Sequence, residues 1–134
     1  VIYVAEYFRK PHTKAQEEAA GALLVQVEAL RLEAEKAGVV RATDPDTDCE
    51  ISGIKNGSGA GGFRSPESKT GASGSAHRSG EAVDIYDPDN HLDNWITDEV
   101  LTRYGLYRED PLRTPGWCHL QSRSPGSGKR TFQP

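Results

Sequence analysis

His77 and His119 stand apart from the other two histidines of the chain, because each lies beside or inside a short apolar stretch that also carries a polar side chain. The first context is Ser75-Ala76-His77-Arg78-Ser79-Gly80-Glu81-Ala82-Val83-Asp84-Ile85, and the second is Gly116-Trp117-Cys118-His119-Leu120-Gln121. Asp84 sits between Val83 and Ile85, where an unpaired carboxylate would be costly to bury, so it requires a cation or strong donors. Gly80 lets the backbone turn sharply between His77 and Asp84, so that the imidazole can fold back toward the carboxylate. Two imidazoles and one carboxylate form a ligand set suited to zinc, and three protein ligands leave a fourth position open. An open position belongs to catalytic zinc, which acidifies a water and polarises a carbonyl. On spacing alone a structural His–Asp hydrogen bond, with His119 as an ordinary core histidine, stands beside that reading.

The elements that must position these residues are few. Residues 13–38 read as the main helix. Leu23, Val27 and Leu30 recur at helical spacing with Leu24 beside them. Thr13 and Gln16 stand in capping-box register, and Gly38 sits where a left-handed C-cap belongs. Its glutamates form a solvated face. From Arg41 to Ser75 the sequence turns to loop signals, with Ile51-Ser52-Gly53-Ile54 as a short strand. Gly57 to Gly62 and Gly126-Ser127-Gly128-Lys129 lack the Gly-Lys-Ser/Thr and the strand–helix context of a phosphate loop.

Gly80 to Tyr86 reads as a strand with Val83 and Ile85 on one face and Ala82 and Asp84 on the other. A turn at Asp87-Pro88-Asp89-Asn90 follows, then a helix over residues 94–104, capped by Asp93 and ended by Gly105. Trp117 to Gln121 reads as a buried strand that places His119 on one face with Trp117 and Gln121, and Cys118 on the other. The tail from Ser122 is polar, with Phe132 as its anchor.

The chain has 134 residues, enough for a single domain over 1–134 with one modest core, and its 14 glycines and 8 prolines point to a loop-rich fold. A net charge of −4 with scattered basic residues gives no nucleic-acid surface. No apolar run approaches the roughly 20 residues that span a bilayer, and no secretory signal is visible. The two cysteines, Cys49 and Cys118, are too few for a disulfide framework, which leaves idle buried thiols or one bridge.

Ser75-x-His77-x-x-Gly80-x-Ala82-x-Asp84 resembles the signature of the M15 family of zinc D-Ala-D-Ala carboxypeptidases and endolysin-type peptidases. In that family the His and Asp of the motif bind zinc, and a His usually preceded by Trp supplies the third ligand, as Trp117-Cys118-His119 would here. Gly62-Phe63-Arg64-Ser65-Pro66-Glu67 is similar to the family segment whose arginine binds substrate or stabilises an oxyanion, matched here by Arg64. The resemblance covers roughly residues 20–134 and is greatest to short forms encoded by phages and bacteria. It implies an α+β, hedgehog/D,D-peptidase-like fold with helices packed on a small antiparallel sheet. It also implies zinc as cofactor, peptidoglycan stem peptides as substrate, and action on the cell wall. The resemblance leaves both D-Ala-D-Ala and L-Ala-D-Glu open as the bond to be cut.

Many family members carry a catalytic Glu or Asp three residues before the last His, and here that position is Gly116. Asp110 and then Glu109 are the candidates to take its place, if the loop from Pro111 to Pro115 folds back. Ser75 is expected to hydrogen-bond near the metal, with a plain turn role beside that reading, and Ser75 and Trp117 join Arg64 as candidate substrate-binding residues. Asp87, Asp89 and His91 follow the Asp84 strand and can line the cleft, with His91 at the surface or behind the ligands.

Overall fold

Thr13 and Gln16 cap helix α2 (Lys14–Lys36) reciprocally. The Thr13 hydroxyl accepts from the Gln16 N–H, and the Gln16 side-chain oxygen accepts from the Thr13 N–H. At the other end Gly38 adopts φ +95°, and the Gly38 and Val39 N–H groups donate to the Glu35 and Ala34 carbonyls. This closes the helix with the paired bonds of a left-handed cap. Leu23, Val27 and Leu30 are buried on one face, as their spacing requires. Each contributes about 1.5–3 kcal/mol relative to an exposed position.

The computed structural model describes residues 1–53, 61–65 and 75–134. A four-residue helix, α1 (Val4–Tyr7), precedes α2. A 3-10 turn (Ala76–Ser79) leads into β1 (Ala82–Tyr86). Helices α3 (His91–Trp95) and α4 (Asp98–Tyr104) follow, then β2 (Tyr107–Glu109), a second 3-10 turn (Pro111–Arg113), β3 (Trp117–Gln121) and β4 (Thr131–Phe132). The fold is α+β; the described residues form four helices and an open four-stranded sheet in the order β1-β3-β2-β4.

The sheet is mixed rather than antiparallel. β3 pairs antiparallel with both β1 and β2, but β4 pairs parallel with β2. After β3 the chain returns past β2 and joins its far edge. There the Arg108 N–H donates to the Arg130 carbonyl and the Asp110 N–H to the Phe132 carbonyl. The outer edge of β1 is covered as well. Ser52 N–H donates to the Asp84 carbonyl, Asp84 N–H to the Gly61 carbonyl and Tyr86 N–H to the Glu50 carbonyl. Ile51 forms an isolated bridge with Ile85, while Ile54 of the expected short strand lies outside the described residues.

The helix expected over residues 94–104 is two helices. Asp93 does not cap it but lies inside α3, buried, with its side chain against Thr114 and Arg108. The chain breaks at Ile96, and Thr97 caps α4 by accepting from the Val100 N–H. Gly105 ends α4 at φ +67°. Leucine, valine and isoleucine side chains from α2, α3, α4, β1 and β3 form one contiguous core, joined by Cys49 and Cys118, both free thiols. Among the described residues no helix is long and apolar enough to cross a membrane.

Candidate metal centre

Asp84 and His119 are register partners across the antiparallel β1–β3 pair, so their side chains leave the sheet on the same face. The backbone of Asp84 is bonded on its outer side to Gly61 and Ser52, which fixes the carboxylate's origin. His77 comes from the 3-10 turn just before β1. Ser75 caps that turn by accepting from the His77 N–H, and Gly80 ends it at φ +80°. The turn and the segment 62–64 clasp each other: His77 Nδ1 bonds the Gly62 carbonyl at 2.9 Å, and the Arg64 N–H donates to the His77 carbonyl.

One potential ligand atom from each of His77, Asp84 and His119 lies within 4.8 Å of the others, and all three residues are buried. This group could hold a metal ion, and hydrogen-bond accounting shows why a cation fits. The Gly62 carbonyl requires the ring proton of His77 on Nδ1. Nε2 is then the lone-pair nitrogen; it is buried, has no hydrogen-bond partner among the described residues, and faces Asp84 Oδ1 at 3.3 Å.

His119 repeats the pattern with the opposite nitrogen. The Gln121 amide nitrogen donates to the Arg123 carbonyl at 2.7 Å, so its oxygen faces His119 Nε2, also at 2.7 Å, and calls for a proton there. His119 Nδ1 then presents a lone pair 2.8 Å from the same Asp84 oxygen. Acceptors aimed at acceptors at these distances repel unless positive charge lies between them. A proton on His119 Nδ1 would satisfy one contact and leave His77 Nε2 orphaned, whereas one divalent ion satisfies all three.

The titration behaviour follows from the same contacts. Burial pushes His77 below its ordinary value. Burial opposes ionisation of Asp84 as well, yet the two imidazoles outweigh it and hold the carboxyl well below the usual range. In His119 burial is overcome by Asp84 and Gln121, and the ring moves up.

These residues open onto a cleft of about 550 Å³. Arg64, Ser75, Trp117 and Glu109 line it together with the three candidate ligands. Arg64 Nη2 lies 3.4 Å from Asp84 Oδ2. Glu109 is half-buried, and its carboxyl is raised above the ordinary glutamate value, first by burial and also by the Asp84 charge, against His119 and Arg64. Asp110, the first candidate for the missing acid, is not brought to the cleft. Its carboxylate caps the 3-10 turn at Pro111, accepting from the Leu112 N–H and from the Gln133 amide.

The remaining sequence expectations divide. Gly116 adopts φ +93° with open space around it, and it is not part of the cleft wall. Asp87 is buried and accepts from the Leu92 and Asp93 N–H groups at the start of α3, while Asp89 and His91 are exposed; none of the three lines the cleft. Pro66 and Glu67 lie outside the described residues, as does most of Gly57–Gly62.

Gln121 and Arg123 were not among the candidate residues. The only signal for Gln121 was its place two residues after His119 on the same strand face. Phe132, expected as an anchor, also forms part of the wall, edge-on to His119 with ring centroids 5.9 Å apart. The chain matches no family model, no curated protein and no solved structure.

Proposed function

We propose that the chain is a zinc peptidase hydrolysing an amide bond in peptidoglycan stem peptides, of the D-Ala-D-Ala carboxypeptidase or L-Ala-D-Glu endopeptidase type. On this reading the α+β architecture is a hedgehog/D,D-peptidase-like fold, and the protein acts on the cell wall in a phage or bacterial setting. One observation carries the proposal: two imidazole lone pairs, on His77 Nε2 at 3.3 Å and on His119 Nδ1 at 2.8 Å, are aimed at a single Asp84 oxygen in a cleft that also holds Arg64 and Glu109.

His77, Asp84 and His119 would hold the ion. Bound there, zinc supplies Lewis acidity, bringing a water's pKa from 15.7 to about 7 and polarising a carbonyl. The chain's own groups do the rest. Glu109, raised by burial, receives the proton given up by the attacking water and delivers it to the leaving amine. Arg64 offers its guanidinium to the developing oxyanion or to a peptide carboxylate. Trp117 gives the cleft an apolar wall for the stem peptide, and Ser75 fixes the turn that carries His77.

The test measures zinc content and muropeptide digestion on one preparation, with Asp84→Ala as control. The expected result is about one zinc per chain and new peptide termini, both lost in the variant. Metal-loaded protein that leaves muropeptides and D-Ala-D-Ala peptides intact would refute the enzyme. That outcome favours a second reading, a zinc-binding cell-wall module of the same fold with little or no hydrolytic rate, for which the side-chain-free Gly116 is the motive.

A further inference from the structure

The cation site depends on a nitrogen choice that His119 does not make by itself. Either ring nitrogen of an imidazole can carry the proton, and only the Nε2–H tautomer aims a lone pair from Nδ1 at Asp84. Gln121 is buried beside the ring, and its amide oxygen accepts from Nε2–H at 2.7 Å. A flipped amide would present its NH₂ group to Nε2, move the ring proton to Nδ1, and point it at the cation.

The flip is blocked from behind. Gln121 Nε2 donates to the Arg123 carbonyl at 2.7 Å, and an exchanged amide would set oxygen against oxygen there. Arg123 is itself tied down: its guanidinium donates to the Ser79 hydroxyl at 2.6 Å and to Glu81 Oε1 at 3.1 Å, and the Ser122 N–H donates to the Glu81 carbonyl. Ser79 belongs to the turn that carries His77. A single relay, from Ser79 and Glu81 through Arg123 to Gln121, therefore joins the segment of the first imidazole ligand to the tautomer of the second.

We propose that Gln121 is a positioning residue that selects Nδ1 of His119 as the ligand atom and thereby sets the affinity for the cation, an inference that rests on the metal reading of the site. Gln121→Met removes the acceptor at similar size. Gln121→Glu keeps an acceptor toward His119 Nε2 but loses the donor to the Arg123 carbonyl.

The experiment titrates each chain with Zn²⁺ against a chelating dye, records thermal stability, and reads the His119 ring proton by long-range ¹H–¹⁵N correlation. Gln121→Met is expected to bind Zn²⁺ roughly 10- to 100-fold more weakly, the usual effect of removing such a partner. Gln121→Glu is expected to keep wild-type affinity despite a lower melting temperature, which a merely structural role would not produce. The zinc-loaded wild type should carry its His119 proton on Nε2. A folded Gln121→Met chain that binds as tightly as wild type, equal affinity losses in both variants, or a proton on Nδ1 each overturn the proposal. A wild-type chain that takes up no Zn²⁺ removes the metal reading itself, and this inference with it.

Discussion

Glu109 and Asp110 are chain neighbours whose carboxylates serve different places: Glu109 lines the cleft near His119, and Asp110 caps the turn at Pro111. The cause lies in β2, whose last residue is Glu109, and in the 3-10 turn opened by Pro111, whose Leu112 N–H donates to Asp110 Oδ1. Glu109→Gln is expected to lower kcat by about 10²- to 10⁴-fold with zinc content unchanged. Asp110→Asn should leave kcat near wild type. Steady-state rates on a defined muropeptide, with metal analysis of each variant, check this, and equal losses in the two would remove Glu109 from its assigned role.

The pH profile carries a related expectation. Burial disfavours the charged form of Glu109, so its carboxyl stays protonated to a higher pH than an ordinary glutamate. A base must be ionised, so activity should rise with pH through that elevated value and fall off on the acid side. Protonation of the imidazole ligands also releases metal in acid. Zinc occupancy must therefore be measured at every pH, and the limb that persists at full occupancy but is lost in Glu109→Gln belongs to Glu109, which separates it from ionisation of a zinc-bound water. A limb that merely tracks occupancy contradicts the assignment.

Arg64 is expected to act on substrate rather than on metal retention. Arg64→Lys keeps a positive charge near Asp84 Oδ2 but loses the planar fork of donors. The expected change is a fall in kcat/KM of about 10²- to 10³-fold, as for loss of an oxyanion donor, with zinc retained. Zinc loss in parallel with activity would instead make Arg64 a support for Asp84.

Gly80 has both a left-handed backbone and no room for a side chain: a Cβ there would come within 2.5 Å of the Gln16 carbonyl oxygen. Gly80→Ala should cost about 1–3 kcal/mol for the backbone conformation alone. It should also weaken Zn²⁺ binding by displacing the His77 turn. Gly21, inside α2 with nothing within 4 Å of its Cβ position, is the contrast, and Gly21→Ala should stabilise the chain by about 0.5–1 kcal/mol. Urea denaturation of both variants against wild type reads the two signs.

The parts of the fold legible in the sequence were those with a repeating physical signal. α2 announced itself through its heptad-like leucines, Thr13 and Gly38, and β1 and β3 through polar residues alternating with apolar ones. β2 is three half-buried residues and β4 only two, too short for any alternation, so the parallel pairing that makes the sheet mixed left no trace. The break at Ile96 was obscured because Asp93 reads as a cap, when its carboxylate is in fact held inside by Thr114 and Arg108. The three candidate ligands were legible because a carboxylate and imidazoles in apolar surroundings need an explanation. Gln121 and Arg123 were not, because an amide and an arginine are ordinary anywhere in a sequence.

The approach of Gln16 to Gly80 also bears on how the site can be moved. The first turn of α2 meets the His77 turn twice, through the Gln16 carbonyl at Gly80 and through the Gln16 amide, which donates to the Arg78 carbonyl. The eight residues from His77 to Asp84 are therefore not a portable cassette. Grafted onto another scaffold without the start of that helix, they would lack the surface that shapes their bend. A designer wishing to transplant the centre would have to carry both pieces at once.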